Sequence, residues 1–200
     1  MNHSNHHMNL KPNESESNPC TDVLTDIEYL EHMIPHHQVA IDMSRLLQPV
    51  TKSYIMLNVC RDIIRKQSFE IYEMKGMKSY KGQLFSNDTS VREFIQTTND
   101  VYNNNLTNQT KCNPMFFKPN DHSKMMKDMK INDRSYLEHM IPHHQVAIDM
   151  TRRLLLHTHN SYLLNFSRKL ILDQQNEIIY MKGLLDENNY LYKSELLFEN

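Results

Sequence analysis

One fifteen-residue string, YLEHMIPHHQVAIDM, occurs twice without a mismatch, at 29–43 and 136–150. It holds six of the twelve histidines and four of the fourteen methionines, so imidazole and thioether donors recur in a fixed order. On a helical wheel of roughly 100° per residue, Met33, His36, His37 and Ala40 fall in one sector, with Met43 at its edge. Met140, His143, His144, Ala147 and Met150 repeat the arrangement, while Asp42 and Glu31 point nearly the opposite way. Ala40 and Ala147 are the only two alanines in the chain. A small residue between donors leaves room for an ion or for a close neighbouring helix. Thioether together with imidazole favours Cu(I), or its soft analogue Ag(I), over Mg or Ca, which take oxygen ligands. Zinc sites seldom use methionine.

A second set of donors follows each string. Gln67, Glu70 and Met74 lie in the middle of an apolar helical stripe, and Gln174, Glu177 and Met181 do the same in the second half. A buried carboxylate must pair, bind a metal or stay protonated. A histidine on the facing helix is the nearest partner, and such a contact would fix its tautomer. Two flanking segments add weaker candidates. Met125, Met126 and Met129 follow His122, and His3 stands behind a free amine and two amides, an arrangement suited to square-planar Cu(II). For each set the alternative is ordinary structure: methionine as core filler, histidine and glutamate as a buried polar network, the terminal histidines as low complexity.

The elements that must position these groups are helical. Asp26, Arg45 and Asn58 match Asp133, Arg152 and Asn165 at a constant offset, as do Gln67, Glu70, Ile71, Met74, Lys75 and Gly76 with Gln174, Glu177, Ile178, Met181, Lys182 and Gly183, so each half is a unit of about fifty residues. Each reads as two helices, from about Asp22 to Leu47 and Lys52 to Lys75, and from about Asn132 to His157 and Ser161 to Lys182. Pro35 and Pro142 fall inside and predict a kink or a helix start. Gly76 and Gly183 sit where a C-terminal cap belongs. One hairpin cannot bury its stripe alone, so the expected fold is all-α, a four-helix bundle of two repeated hairpins. The expected organisation is a disordered tail over 1–20, a first hairpin over 21–83, a polar connector over 84–131 with a short helix near Val91–Tyr102, and a second hairpin over 132–200, with 21–200 forming one bundle domain.

Composition narrows the function classes. A net charge of −2 argues against a nucleic-acid footprint. There is no apolar run long enough for a membrane span. The first twenty residues lack a secretory signal, so the chain is expected to be intracellular or processed before residue 1. Cys20, Cys60 and Cys112 form no disulfide framework. Cys60 reads as a small core residue, and a Cys20–Cys112 bridge is the less favoured arrangement. No nucleophile–base pair, phosphate loop or nucleotide fingerprint is present, so catalysis is not expected. The partners expected are a metal ion and, with a homo-oligomer left open, further copies of the chain.

The string MIPHHQVAIDM, followed by Gln67-x-x-Glu70-Ile71-x-x-Met74, resembles a small ferritin-like family of unknown function that carries this motif in tandem. That family includes bacterial periplasmic copper-binding proteins. The resemblance spans both hairpins and the Met125-Met126-x-x-Met129 segment. It implies a four-helix bundle and, for some members, copper or silver bound through methionine and histidine. By it, Met33, His36, His37 and Met43 are the candidate ligands of the first half, and Met140, His143, His144 and Met150 those of the second. The function expected is soft-metal sequestration or transport. Two readings compete with it: a metal-free helical interaction module, and a carboxylate-bridged iron protein. The iron reading is the weaker, because the repeated core acid is a single Glu per half and no Glu-x-x-His occurs in the second helices.

Overall fold

The computed structural model describes residues 19–20, 24–79 and 113–198, with side chains described as far as residue 186. Among the described residues there are five α-helices and no strand: α1 (Asp26–Leu47), α2 (Tyr54–Ser79), α3 (Pro119–Asp128), α4 (Asp133–Leu155) and α5 (Ser161–Phe198). A single 3-10 turn, Pro114–Phe117, precedes α3. Helix α1 packs against α2 and α4 against α5, giving two hairpins that meet along α1 and α4.

Local sequence sets the helix starts. Thr25 Oγ1 accepts from the Glu28 backbone N–H, and the Glu28 carboxylate accepts from the Thr25 N–H at 2.9 Å, a reciprocal cap. Asn132 and Ser135 do the same for α4, at 3.0 Å each way. Neither Pro35 nor Pro142 starts a helix: α1 and α4 run through them. Neither Gly76 nor Gly183 caps one. Helix α2 continues to Ser79, and α5 continues to Phe198, well past the expected end at Lys182. The reason is packing, since the apolar stripe carries on through Met77, Leu184 and Leu185 against the core.

The hairpins are related by a pseudo-twofold axis. Tyr29 and Thr151 hydroxyls lie 2.8 Å apart, and so do Tyr136 and Ser44, their repeat equivalents. Thr151 Oγ1 already donates to the Ala147 carbonyl at 2.7 Å and Ser44 Oγ to that of Ala40 at 2.8 Å. The tyrosines must therefore donate in both pairs. All four side chains are buried. These clamps pull the N-terminal part of each helix onto the C-terminal part of the other, so α1 and α4 are antiparallel. Ala40 and Ala147, fully buried, let the backbones approach.

Part of the connector is more ordered than a polar loop. Phe116 and Met126 are buried, and α3 packs on α1. The helix expected near Val91–Tyr102 lies outside the described residues. Cys60 is free and buried, as expected. Cys20 is disulfide-bonded, contrary to the favoured reading of unpaired cysteines. Cys112 lies outside the described residues.

Two stability changes follow from this architecture. Gly76 sits inside an exposed stretch of helix, and a Cβ added there would meet nothing within 4 Å, so Gly76→Ala should raise stability by about 0.5–1 kcal/mol in urea unfolding. Tyr136→Phe leaves the buried Ser44 hydroxyl without its donor and should cost about 1–2 kcal/mol. Equal stability of Tyr136→Phe and the parent would remove the clamp from the account.

Candidate metal centre

At the crossing of α1 and α4 the His36 and His143 rings stack, with centroids 3.6 Å apart and planes inclined by 28°. Each is the repeat equivalent of the other, so the stack sits on the pseudo-twofold axis. His143 donates Nε2–H to the His36 carbonyl at 3.1 Å, which leaves its Nδ1 as a bare lone pair. Neither ring nitrogen of His36 closes a hydrogen bond. Phe116 meets the His143 ring edge-on at 5.0 Å, and Phe117 lies 5.2 Å from that of His36. The connector thus roofs the stack with aromatic carbon. Nothing in the repeat signals this, because 114–117 has no counterpart in it.

On either side of the stack the other histidine of each pair reaches its own hairpin. His37 Nε2 and His144 Nε2 lie 2.8 Å from the carboxylates of Glu70 and Glu177. Both rings are buried, and their Nδ1 atoms are left without partners. Gln67 and Gln174, each 2% exposed, leave both amide atoms unpaired. Burial opposes ionisation of Glu177, but hydrogen bonds and charge from His144 and Lys66 outweigh it and bring its pKa down to about 2. Lys66 Nζ approaches Glu177 to 2.7 Å, a partner from the other hairpin that helical periodicity does not reveal. Asp173 occupies the equivalent position in the second half, so the two carboxylates differ in their surroundings. A cavity of about 320 Å³, lined by Asp62, Lys66, Glu177 and Met181 among others, opens over Glu177.

The methionines do not group by repeat. Met33 shares one core cluster with Met74 and Met150, while Met43 shares the other with Met140 and Met181. All six are at most 1% exposed. Met33 and Met43 are ten residues apart on one helix, roughly 15 Å. The antiparallel crossing therefore pairs each with the opposite half. Each cluster draws methionines from both hairpins. Of the weaker candidates, Met126 is buried in the second cluster, Met125 packs against it, and Met129 is 53% exposed. His3 lies outside the described residues.

The donor set is buried and soft. Each unpaired buried nitrogen costs about 1–3 kcal/mol unless something fills its valence. Among the described residues no group of three or more His, Cys, Asp or Glu side chains could hold a metal ion. An ion held by three side chains of this core would therefore draw on methionine sulfur or glutamine amide besides imidazole, and thioether with imidazole fits a d10 monocation better than a hard divalent ion.

The same burial sets an acid sensitivity. Desolvation holds His36 and His143 well below 6.5, and the surrounding imidazoles add to it. His122 is lowered to about 4 for the same reasons. A histidine that stays neutral when folded but protonates below 6.5 when unfolded favours the unfolded state as pH falls. Glu177, with its depressed value, keeps its contribution above 4.5 and loses it as pH falls toward about 2. The metal-free protein should thus lose stability from about pH 6.5 downward. Urea midpoints at about pH 7.5 and 5.5 check this, and the gap should shrink in His36→Asn/His143→Asn.

Known structures share this fold. Several solved structures of CopM superpose on the chain. The silver-bound form obtained by soaking is 25% identical, with a TM-score of 0.57, covering 82% of this chain and 97% of that one. The Cu(I)-bound form is 26% identical, with a TM-score of 0.55 and the same coverages. A DUF305 fragment from Deinococcus radiodurans shares the fold at 20% identity, with a TM-score of 0.53, covering 81% of this chain and 95% of the fragment. A stretch of 57 residues is 40% identical to the uncharacterized protein L153 of Acanthamoeba polyphaga mimivirus, covering 28% of this chain and 38% of that protein. The chain thus spans well under half the length of this relative. The family model described as a domain of unknown function, DUF305, matches residues 26–185, and the chain belongs to that family.

Proposed function

We propose that the protein binds soft monovalent metal ions, Cu(I) foremost, and holds them away from water in a sequestering or carrier role. One observation carries the reading: six methionines and four histidines of the duplicated helices are buried in one core, and each of those imidazoles keeps at least one ring nitrogen without a hydrogen-bond partner. The ligands proposed are Met33, Met150 and Met74 toward one end and Met43, Met140 and Met181 toward the other, with His36, His37, His143 and His144 between them. Glu70 and Glu177 orient His37 and His144, and Gln67 and Gln174 stand as additional oxygen or nitrogen donors. CopM, solved with Cu(I), Cu(II) and silver bound, supports copper and silver as the ions of interest. We read the protein as a binder rather than a catalyst. Carboxylate-bridged iron is disfavoured by the lack, among the described residues, of three convergent hard donors.

The metal-free reading draws on the His37–Glu70 and His144–Glu177 pairs, which are complete hydrogen bonds without any ion. Titration separates the two. Anaerobic Cu(I) should compete with a chelator and raise the melting temperature, with stabilisation of about 2.7 kcal/mol at a hundredfold excess over Kd. Met33→Leu/Met150→Leu keeps the volume, costs under about 1.5 kcal/mol per site in packing, and should weaken binding about tenfold or more. Unchanged affinity in that variant, or a melting point indifferent to Cu(I), contradicts the proposal.

A further inference from the structure

The connector places in the core a histidine that the duplication does not account for. His122 on α3 is 1% exposed, and neither of its ring nitrogens has a hydrogen-bond partner. Its ring meets that of His139 on α4 nearly edge-on, with centroids 6.4 Å apart and planes inclined by 79°. His139 donates Nδ1–H to the Ser135 carbonyl at 2.8 Å. That contact fixes its neutral tautomer and leaves the lone pair on Nε2. Met126 follows His122 by one helical turn on the same face and is fully buried.

The spacing suits a bridging ion. Two imidazoles opposed across a metal, with metal–nitrogen bonds of about 2.0 Å, have ring centres roughly 6 Å apart. The first half builds nothing equivalent. The counterpart of His139 is His32, which meets the Phe117 ring edge-on at 6.1 Å.

We propose that His122, His139 and Met126 form a separate site for a soft monovalent cation, Cu(I) or Ag(I), where the connector helix, packed on α1, brings His122 beside His139 of α4. This rests on the reading of the chain as a soft-metal binder, but it uses none of the donors of the central cluster. Two imidazole nitrogens and one thioether match the donor preference of such an ion. The ion would fill the valence that the fold leaves open on His122. The protein would then carry one more ion than its two-fold repeat implies.

Silver is the probe. The full chain, labelled with ¹⁵N, is titrated with silver nitrate while long-range imidazole ¹H–¹⁵N spectra are recorded. The same is done for His122→Gln and for Met126→Leu, which keeps the packing volume should the first variant fail to fold. In the parent, His139 Nε2 and the His122 nitrogens shift. His122→Gln takes up one equivalent fewer and loses the His139 shift, and Met126→Leu weakens this site about tenfold. The shifts persist when His36 and His143 are both changed to Asn, since the central donors take no part. The proposal is overturned if silver saturates the other histidines while His139 stays unmoved, or if both variants bind as many equivalents as the parent. No silver uptake by the parent at all overturns the soft-metal reading together with this site.

Discussion

The antiparallel meeting of two copies of one helix is the constraint from which the rest of the structure follows. Equivalent residues stand 107 positions apart, as His36 and His143 do, and only residues near the middle of the string can meet their own copies. His36 and His143 hold that place and stack face to face. Every other residue meets a different one, which is why Tyr29 finds Thr151 and Tyr136 finds Ser44. The same geometry sends the N-terminal methionine of each string toward the C-terminal methionine of the other. A single string, duplicated and crossed, thus places Met33 with Met150 in one core cluster and Met43 with Met140 in the other.

Within that near-symmetric interior the protein has varied what surrounds it. The connector roofs one face with Phe116 and Phe117 and inserts His122 and Met126. At the outer helices, Glu177 faces Lys66 beneath an open cavity. In the other half, Lys169 lies over the Phe69 ring, 5.7 Å from its centroid. The twin His–Glu pairs are alike to the same 2.8 Å, yet their routes to solvent differ. The repeat keeps the His and Glu side chains alike in both halves, while their exposure and charged neighbours differ.

Periodicity and repetition made the helices and the pairing of hairpins legible. The 3/4 spacing from Met56 through Met74 marks the buried stripe of α2, and those residues are buried. Local punctuation misled where tertiary packing outweighed it. Gly76 and Gly183 read as caps, but the stripe continues beyond them, and burial of the following apolar residues outweighs the modest cost of a helical glycine. The prolines read as a kink or a helix start, and no helix starts there: each helix runs through its proline and is held on both sides of it by the Tyr–hydroxyl clamps. The site was legible in its residue types and not in its grouping. A helical wheel places Met33 and Met43 in one sector but is blind to the distance along the axis. The contribution of 114–126 was hidden because it arises from a segment with no repeat to compare it with. The two buried acids were different: their position in an apolar stripe demanded a partner, and histidine on the facing helix supplies it.

The central claim is that buried sulfur and imidazole act together on one kind of ion. X-ray absorption at the copper edge of the Cu(I)-loaded protein reads that directly, because sulfur and nitrogen scatter distinguishably. The account predicts a mixed shell of thioether sulfur and imidazole nitrogen, with the sulfur component reduced when Met33, Met150, Met43 and Met140 are replaced by leucine. A shell of nitrogen and oxygen alone, unchanged by those replacements, would contradict it.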